Sequence, residues 1–199
     1  DEEVGMDGAF ALDCSDLKGR KLLNLDSEME GVFTVSCAGG LRADCHLPGA
    51  MESVDGMSGY TVTLSGLQGG HSGADIHLGR ASANQQMGRV LYSAMERFHG
   101  LRLAALSGGQ FDNVICSRCD AAVAIPSEKE AEFEAFIAEF DATLKNEYTG
   151  CDDGINLKCA KTDVTAAISE VTTNLMLHTL LALPQGVQAM SVDFPGLTQ

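Results

Sequence analysis

Apolar residues recur at helical spacing in three segments of the chain. In residues 81–98 they form one stripe, and in residues 127–150 they form another, which follows a capping-box pair, Ser127 and Glu130. From Thr165 to Pro184 a third segment repeats the pattern. We predict three helices, with these apolar faces: Met87, Val90, Leu91, Met95 and Phe98; Phe133, Phe136, Ile137, Phe140 and Leu144; Val171, Leu175 and Leu181.

Strand patterns lie between these helices. Residues 60–64 alternate as a half-exposed strand does, and three further stretches predict strands: 101–106, 114–125 and 155–160. Gly150 is a plausible helix stop. Nearer the start of the chain, residues 4–13 predict a short helix, the apolar run 21–26 predicts a buried strand, and residues 31–37 predict another.

The order of these elements indicates a domain organisation. Residues 59–164 run strand, helix, strand, strand, helix, strand, which predicts an α+β domain: a four-stranded antiparallel sheet with two helices on one face. A Gly- and Pro-containing stretch, 47–59, precedes it. We expect this domain to be inserted between two parts of another domain, residues 1–58 and 165–199, and its edge strands could pair with a second copy.

Composition narrows the function classes. The net charge of −15, from 28 acidic and 13 basic residues, argues against a nucleic acid or an anionic membrane surface as partner. Seven cysteines without a small-scaffold pattern argue against a disulfide framework and favour the cytoplasm. No apolar run approaches the roughly 20 residues that a membrane span needs.

Three features carry candidate chemistry: the adjacent Glu2 and Glu3, the strand-ending Asp26, and His71 in a Gly-Gly-His-Ser-Gly turn. Taken alone, the glutamates suit a solvated surface and the aspartate a cap. Metal-dependent hydrolysis needs one carboxylate to bind the metal and a second to take a proton from bound water. A histidine on a glycine-rich turn can approach a substrate carbonyl and donate to its developing oxyanion.

These residues stand in motifs of one enzyme superfamily. Residues 1–6, Asp-Glu-Glu-Val-Gly-Met, with Asp26 downstream, resemble the D-E-E-x-G pattern of zinc metallopeptidases of the aminoacylase and carboxypeptidase G2 superfamily, peptidase family M20. The aminoacyl-histidine dipeptidase branch is closer still. Its likeness extends through residues 23–28, 36–40, 66–73, 76–79 and 182–187 and covers nearly the whole chain.

The resemblance implies roles for five residues. Glu2 resembles the general base, Glu3 a ligand of one zinc ion and Asp26 a ligand of the other. His71 resembles the lid histidine that family members present to the substrate, often across a dimer, and Asn113 resembles a lid asparagine that contacts substrate. The resemblance also implies that the lid, residues 59–164, is inserted in an α/β zinc-peptidase catalytic domain, of which residues 1–58 and 165–199 are part. The intact enzyme is expected to hold two zinc ions, to bind a dipeptide and to form a homodimer through the lid.

The chain departs from the family pattern in two respects. Cys116 stands where the branch usually has proline. The His-x-Asp motif and the final histidine ligand are absent from the sequence, so only two of the five protein ligands expected from the resemblance are present. Both chain ends are expected to lie within a longer protein, and we expect this piece alone neither to bind two zinc ions nor to hydrolyse a peptide bond.

Weaker candidates have mainly structural interpretations. Cys116 and Cys119 have CxxC spacing but sit in a strand pattern without a second pair, so we favour a role in the sheet over a zinc or redox site. His77 and His178 are expected to be packing or surface residues. Arg80 could meet a substrate carboxylate or lie at the surface.

The resemblance therefore implies a cytoplasmic metallodipeptidase that hydrolyses Xaa-His dipeptides, of which this chain is a piece. Two alternatives stay open: a deacylase or amidohydrolase of the same superfamily, because lid contacts decide specificity, and a non-catalytic lid or interaction module.

Overall fold

The computed structural model describes residues 6–25, 30–35 and 39–198. The chain divides into two compact units, residues 1–47 and 48–199. In the described part of the first unit the regular element is one short helix, α1 (Asp7–Phe10). It lies within the predicted helix 4–13 and is shorter, with residues 4 and 5 outside the described range.

Both strands predicted in the first unit are wrong over their described residues. Residues 21–25 have no regular structure, and the side chains of Leu22, Leu23 and Leu25 are each at least 90% exposed. Residues 32–35 also form no strand, and Phe33 is 92% exposed. A buried strand needs neighbours for its backbone hydrogen bonds and its apolar side chains, and none of the described strand pairings includes these segments.

The second unit is built on a four-stranded antiparallel sheet with strand order β4-β6-β2-β7. Its strands are β2 (Met57–Ser65), β4 (Arg102–Gly108), β6 (Cys119–Pro126) and β7 (Asn156–Lys161). Two short two-stranded sheets accompany it: β1 (Met51–Ser53) with β8 (Ala166–Ile168), and β3 (Gly70–His71) with β5 (Val114–Ile115).

Two long helices cover one face of the four-stranded sheet. They are α2 (Ala83–Arg97) and α3 (Glu130–Glu147). Alternate residues of β2, Tyr60, Val62 and Leu64, are fully buried and pack into the same core cluster as the apolar faces of both helices. This arrangement confirms the predicted α+β fold, in which period-2 and period-3.6 apolar faces meet.

A third helix packs on α2. This helix, α4 (Glu170–Ala182), places Leu177 in the core, while the rings of His178 and Tyr92 meet edge to face with centroids 4.9 Å apart. The helix predicted after Thr165 is confirmed, but it begins later because residues 166–168 pair with β1. None of the helices in the described ranges is long and apolar enough to cross a membrane.

Two local predictions fail for identifiable reasons. The single strand predicted at 114–125 is two strands, because β5 pairs with β3 while β6 pairs with β2 and β4. The capping box also fails: residues 127–129 form a 3-10 turn, α3 starts at Glu130, and the Ser127 hydroxyl donates instead to the Gly56 carbonyl at 2.8 Å.

Candidate functional site

His71 lies at the end of β3, on a tight loop between β2 and α2. Its backbone N–H donates to the Asp75 carboxylate at 2.9 Å, and the Asp75 N–H donates to the His71 carbonyl at 3.0 Å. This reciprocal pair closes a one-turn loop over residues 71–75. The His71 side chain is exposed, so its imidazole is available to a ligand.

The loop backbone orients the imidazole of His71. The N–H groups of Gly73 and Ala74 both donate to its Nδ1, at 3.0 and 3.1 Å. A ring nitrogen that accepts two hydrogen bonds cannot carry a proton, so in the neutral imidazole the proton is on Nε2. The fold thus presents Nε2–H as a hydrogen-bond donor.

Asn113 is brought next to His71 by the short β3–β5 pairing. His71 and Val114 are register partners, and the Ser72 N–H donates to the Asn113 carbonyl at 2.8 Å. Two of the residues selected from the sequence, 42 positions apart, therefore lie at this two-stranded sheet, with His71 in β3 and Asn113 directly before β5. The Asn113 side-chain oxygen is itself buried.

Arg80 packs against the segment between β2 and α2 that carries His71, rather than lying at a free surface. Its guanidinium donates to the Gly69 carbonyl at 2.6 Å and forms an ion pair with Asp75 at 3.5 Å, with the arginine side chain 22% exposed. It ties the end of the loop to its beginning. Arg80 also lines a cavity of about 330 Å³, together with His77, Ser82, Tyr148 and Gln185.

Cys116 and Cys119 are packing residues in this structure. Both thiols are free and buried in the main core cluster, and burial raises the pKa of Cys119 to about 12. A thiol with that pKa is protonated at neutral pH and is a poor nucleophile and metal ligand. The Cys116 carbonyl accepts the Ala83 N–H at 2.7 Å and so fixes the first turn of α2.

The residues selected as metal site and general base cannot be placed. Glu2, Glu3 and Asp26 lie outside the described residues. Within the described ranges, no group of three or more His, Cys, Asp or Glu side chains is arranged to hold a metal ion. The described residues alone therefore do not fit a zinc centre.

Sequence reasoning missed two acidic residues that organise the loop between β2 and α2, which carries His71. No motif in the sequence singles out Asp75, which follows the glycine-rich turn, or Asp152, which stands beside Asp153 and Gly154. The structure buries Asp152 completely and gives it backbone partners on both ends of the loop. The available signal was the spacing of Asp75, four residues after His71, which suits a loop closed by its own side chain.

Comparison with known proteins finds similarity to peptidases. Residues 62–150 match the family model of the peptidase dimerisation domain. Over 188 residues the chain is 34% identical to the cytosol non-specific dipeptidase of Escherichia coli (strain K12), covering 94% of this chain and 39% of that protein.

A solved structure gives the same picture. The crystal structure of aminoacylhistidine dipeptidase from Vibrio alginolyticus superimposes with a TM-score of 0.77 at 32% identity, covering 100% of this chain and 41% of that one. The chain thus spans about two fifths of the length of both relatives. Residues 62–150 are thus similar to the peptidase dimerisation domain of the M20 type, and nearly the whole chain is similar to about two fifths of each of these two dipeptidases.

Proposed function

We propose that this chain is the lid and part of the catalytic lobe of a metallodipeptidase that hydrolyses Xaa-His dipeptides in the cytoplasm. The observation that carries the proposal is the orientation of His71, whose Nδ1 accepts two backbone N–H groups and whose Nε2–H is therefore free to donate. An oriented N–H donor on an exposed loop suits the carbonyl oxygen of a peptide bond, where negative charge develops during hydrolysis.

The remaining roles follow the family resemblance. Glu3 and Asp26 would each bind one of two zinc ions, with Glu2 as general base and Asn113 as a substrate contact. Zinc, when bound, polarises a carbonyl and lowers the pKa of water. The names of the two relatives, a cytosol non-specific dipeptidase and an aminoacylhistidine dipeptidase, support a dipeptide substrate, and the second supports a histidine in it.

The test uses this chain extended at both ends to the length of its dipeptidase relatives. We expect zinc-dependent hydrolysis of β-alanyl-histidine and of other Xaa-His dipeptides, and slow hydrolysis of N-acetyl amino acids. Preference for the N-acetyl compounds would favour a deacylase instead. No hydrolysis of either class, with zinc bound, would favour a non-catalytic module. Hydrolysis by the 199-residue chain alone would contradict the proposal that it is only part of the enzyme.

A pair of substitutions on one loop tests the role of His71. His71→Ala should lower kcat by about 100-fold, the usual cost of removing one oxyanion donor. His77→Ala removes another exposed histidine of the same loop and should leave kcat nearly unchanged. Equal effects of the two substitutions would remove His71 from the mechanism.

A homodimer formed through the lid is part of the proposal. The matched domain is described as a dimerisation domain, and its sheet has two edge strands, β4 and β7. The β7 edge carries Lys158 and Lys161, both exposed, and charged side chains on an edge discourage strand pairing. The β4 edge has no charged residue after Arg102, so we propose β4 as the edge that meets the second copy.

A further inference from the structure

One buried carboxylate holds both ends of the loop that carries His71. We define this loop, the His71 loop, as residues 68–81. Asp152, in the turn between α3 and β7, is fully buried. One of its oxygens, Oδ1, accepts the Gln68 N–H at 2.7 Å, and the other, Oδ2, accepts the Ala81 N–H at 2.7 Å.

The two hydrogen bonds compensate for the burial of the Asp152 carboxylate. A buried carboxylate is costly unless its oxygens are hydrogen-bonded, and bonds from N–H groups to a charged acceptor are short and strong. The backbone of Asp152 is also anchored, because its N–H donates to the carbonyl of Tyr148, at the end of α3, at 2.9 Å. The ends of the loop are thereby attached to a long helix packed in the core.

The neighbouring residue adds two more contacts between the same turn and the loop. The Gln68 side-chain amide donates to the Cys151 carbonyl, and the Cys151 thiol donates to the Leu78 carbonyl at 3.4 Å. The turn at residues 151–152 therefore contacts the loop at its beginning, near its end and at its last residue. Three of the four loop groups in these contacts are backbone groups, so the contacts depend little on the side chains of the loop.

A short chain of contacts connects the Asp152 anchor to the imidazole. Ala81 follows Arg80, and Gln68 precedes Gly69, whose carbonyl accepts from Arg80 at 2.6 Å. Arg80 pairs with Asp75, and Asp75 accepts the His71 N–H. Releasing the two ends of the loop removes the support for each of these contacts in turn.

We propose that Asp152 is a positioning residue for His71: by fixing both ends of the His71 loop it maintains the turn that keeps Nδ1 as an acceptor and Nε2–H as the presented donor. The inference rests on the proposed function only in the claim that His71 acts on substrate. The positioning itself is a property of this chain and is measurable without hydrolysis.

The first experiment measures the His71 tautomer and backbone amide exchange by NMR on the 199-residue chain. In the wild type, the imidazole ¹⁵N shifts above pH 8 should be those of the Nε2–H form. In Asp152→Asn, which retains the shape and loses one acceptor, the two tautomers should mix and the amides of Gly73 and Ala74 should exchange about tenfold faster. An unchanged tautomer and unchanged exchange in this variant would overturn the proposal.

Asp141→Asn is the matched control. Asp141 also accepts a backbone N–H, that of Leu157 at 2.8 Å, and its side chain is 20% exposed, but its partner is on β7 rather than in the His71 loop. This variant should leave the His71 tautomer and the exchange of the loop amides unchanged. If it shifts them as much as Asp152→Asn does, the effect is general destabilisation and the proposal fails.

A measurement on the wild type tests the proposal even if Asp152→Asn does not fold. Because one carboxylate holds Gln68 and Ala81, their amides should exchange by the same opening, with protection factors within about threefold of each other. Protection factors that differ by about 100-fold would show separate openings and overturn the proposal.

Kinetics in the extended protein separate this inference from the proposed function. Asp152→Asn should lower kcat about tenfold with little change in KM, and it should add almost nothing to His71→Ala. If His71→Ala leaves hydrolysis unchanged, the proposed role of His71 fails while the NMR result still decides the positioning. If both single variants are impaired and their effects are additive, Asp152 acts independently of His71 and the positioning proposal is overturned.

Discussion

Gly70 shows at the scale of one residue how closely the His71 loop is packed. Its φ of +134° is a backbone conformation that L side chains rarely adopt, and a Cβ there would lie 2.6 Å from the Asp75 carboxylate and against the Arg80 guanidinium. Gly79 also has a positive φ, +68°, but open space around it. A comparison of substitutions at the two glycines therefore separates the cost of backbone strain from the cost of a steric collision.

We expect Gly70→Ala to destabilise the domain more than Gly79→Ala does. The first variant has strain and a collision with the Asp75–Arg80 pair, which together should cost about 2–3 kcal/mol, whereas the second has the left-handed strain of about 1 kcal/mol. Urea unfolding of both variants measures the difference. Equal losses would mean that the loop opens at Gly70 without resistance.

Asp120 gives the domain a specific pH dependence. The Arg118 guanidinium and the Thr63 hydroxyl donate to its carboxylate, at 2.8 and 2.5 Å, and hold its pKa below the ordinary value of 3.8. A pKa that is lower in the folded state stabilises the fold above the unfolded pKa. That contribution is lost as the pH falls through the folded pKa.

Asp120→Asn should therefore reduce the free energy of unfolding at pH 7 and change it little at pH 2.5. The pair is at the surface, with the Arg118 side chain 63% exposed, so the loss at pH 7 should be below about 1 kcal/mol. Urea unfolding at both pH values checks this. In an Arg118→Met background the pH-dependent part of the loss should shrink, and its persistence in full would assign the lowered pKa to another group.

At the scale of elements, the long periodic segments were predictable and the short ones were not. The apolar faces of α2 and α3, including Met87 and Phe133, and the alternation of β2 are local patterns, so the sequence alone shows them. Strands β1 and β8 have three residues each and exist because distant segments pair, Met51 with Ile168. No local pattern contains that information.

The candidate site divides in the same way. The glycine-rich motif identified His71 and the resemblance identified Asn113, but their proximity depends on the β3–β5 pairing. The support from Asp152 depends on a contact with Gln68, 84 residues away in the chain, and burial of an aspartate in a turn has no sequence signature. Residues 21–25 show the opposite case: their apolar pattern predicts a buried strand, but a local pattern does not specify a partner strand, and the segment forms none.

Helix capping gives a prediction at this scale. Ser169 caps α4, because its hydroxyl accepts the Thr172 N–H at 3.1 Å, whereas Ser82 occupies the same position before α2 without a side-chain capping bond. Ser169→Ala should lower the free energy of unfolding by about 1 kcal/mol and Ser82→Ala by a few tenths. Thermal unfolding of the two variants checks this. A larger loss from Ser82→Ala would show that its hydroxyl has a role that the structure does not give it.

At the scale of the whole molecule, both core clusters are built from residues between 54 and 177. Residues 48–199 form a compact unit by themselves, so we expect that segment to fold without residues 1–47. This makes the second unit a suitable subject for measuring self-association. It contains the four-stranded sheet with both of its edges.

The proposed dimer edge can be tested with two alanines. Ala105 on β4 and Ala160 on β7 are both exposed and lie on the two edge strands. A lysine on the strand that pairs across a dimer would bring charge into the interface, so Ala105→Lys should convert the dimer to a monomer, with Kd raised at least about 100-fold. Ala160→Lys adds the same charge to an edge that already has two lysines and should leave the dimer intact.

Light scattering of residues 48–199 during size-exclusion chromatography measures the mass of each variant. Circular dichroism shows whether both variants are folded. Dissociation by Ala160→Lys and not by Ala105→Lys would assign the interface to β7. A wild-type unit that stays monomeric at high concentration would mean that the lid does not hold the two copies together. His71 would then have to act on substrate bound to its own chain, because only association through the lid would bring it to a partner's substrate.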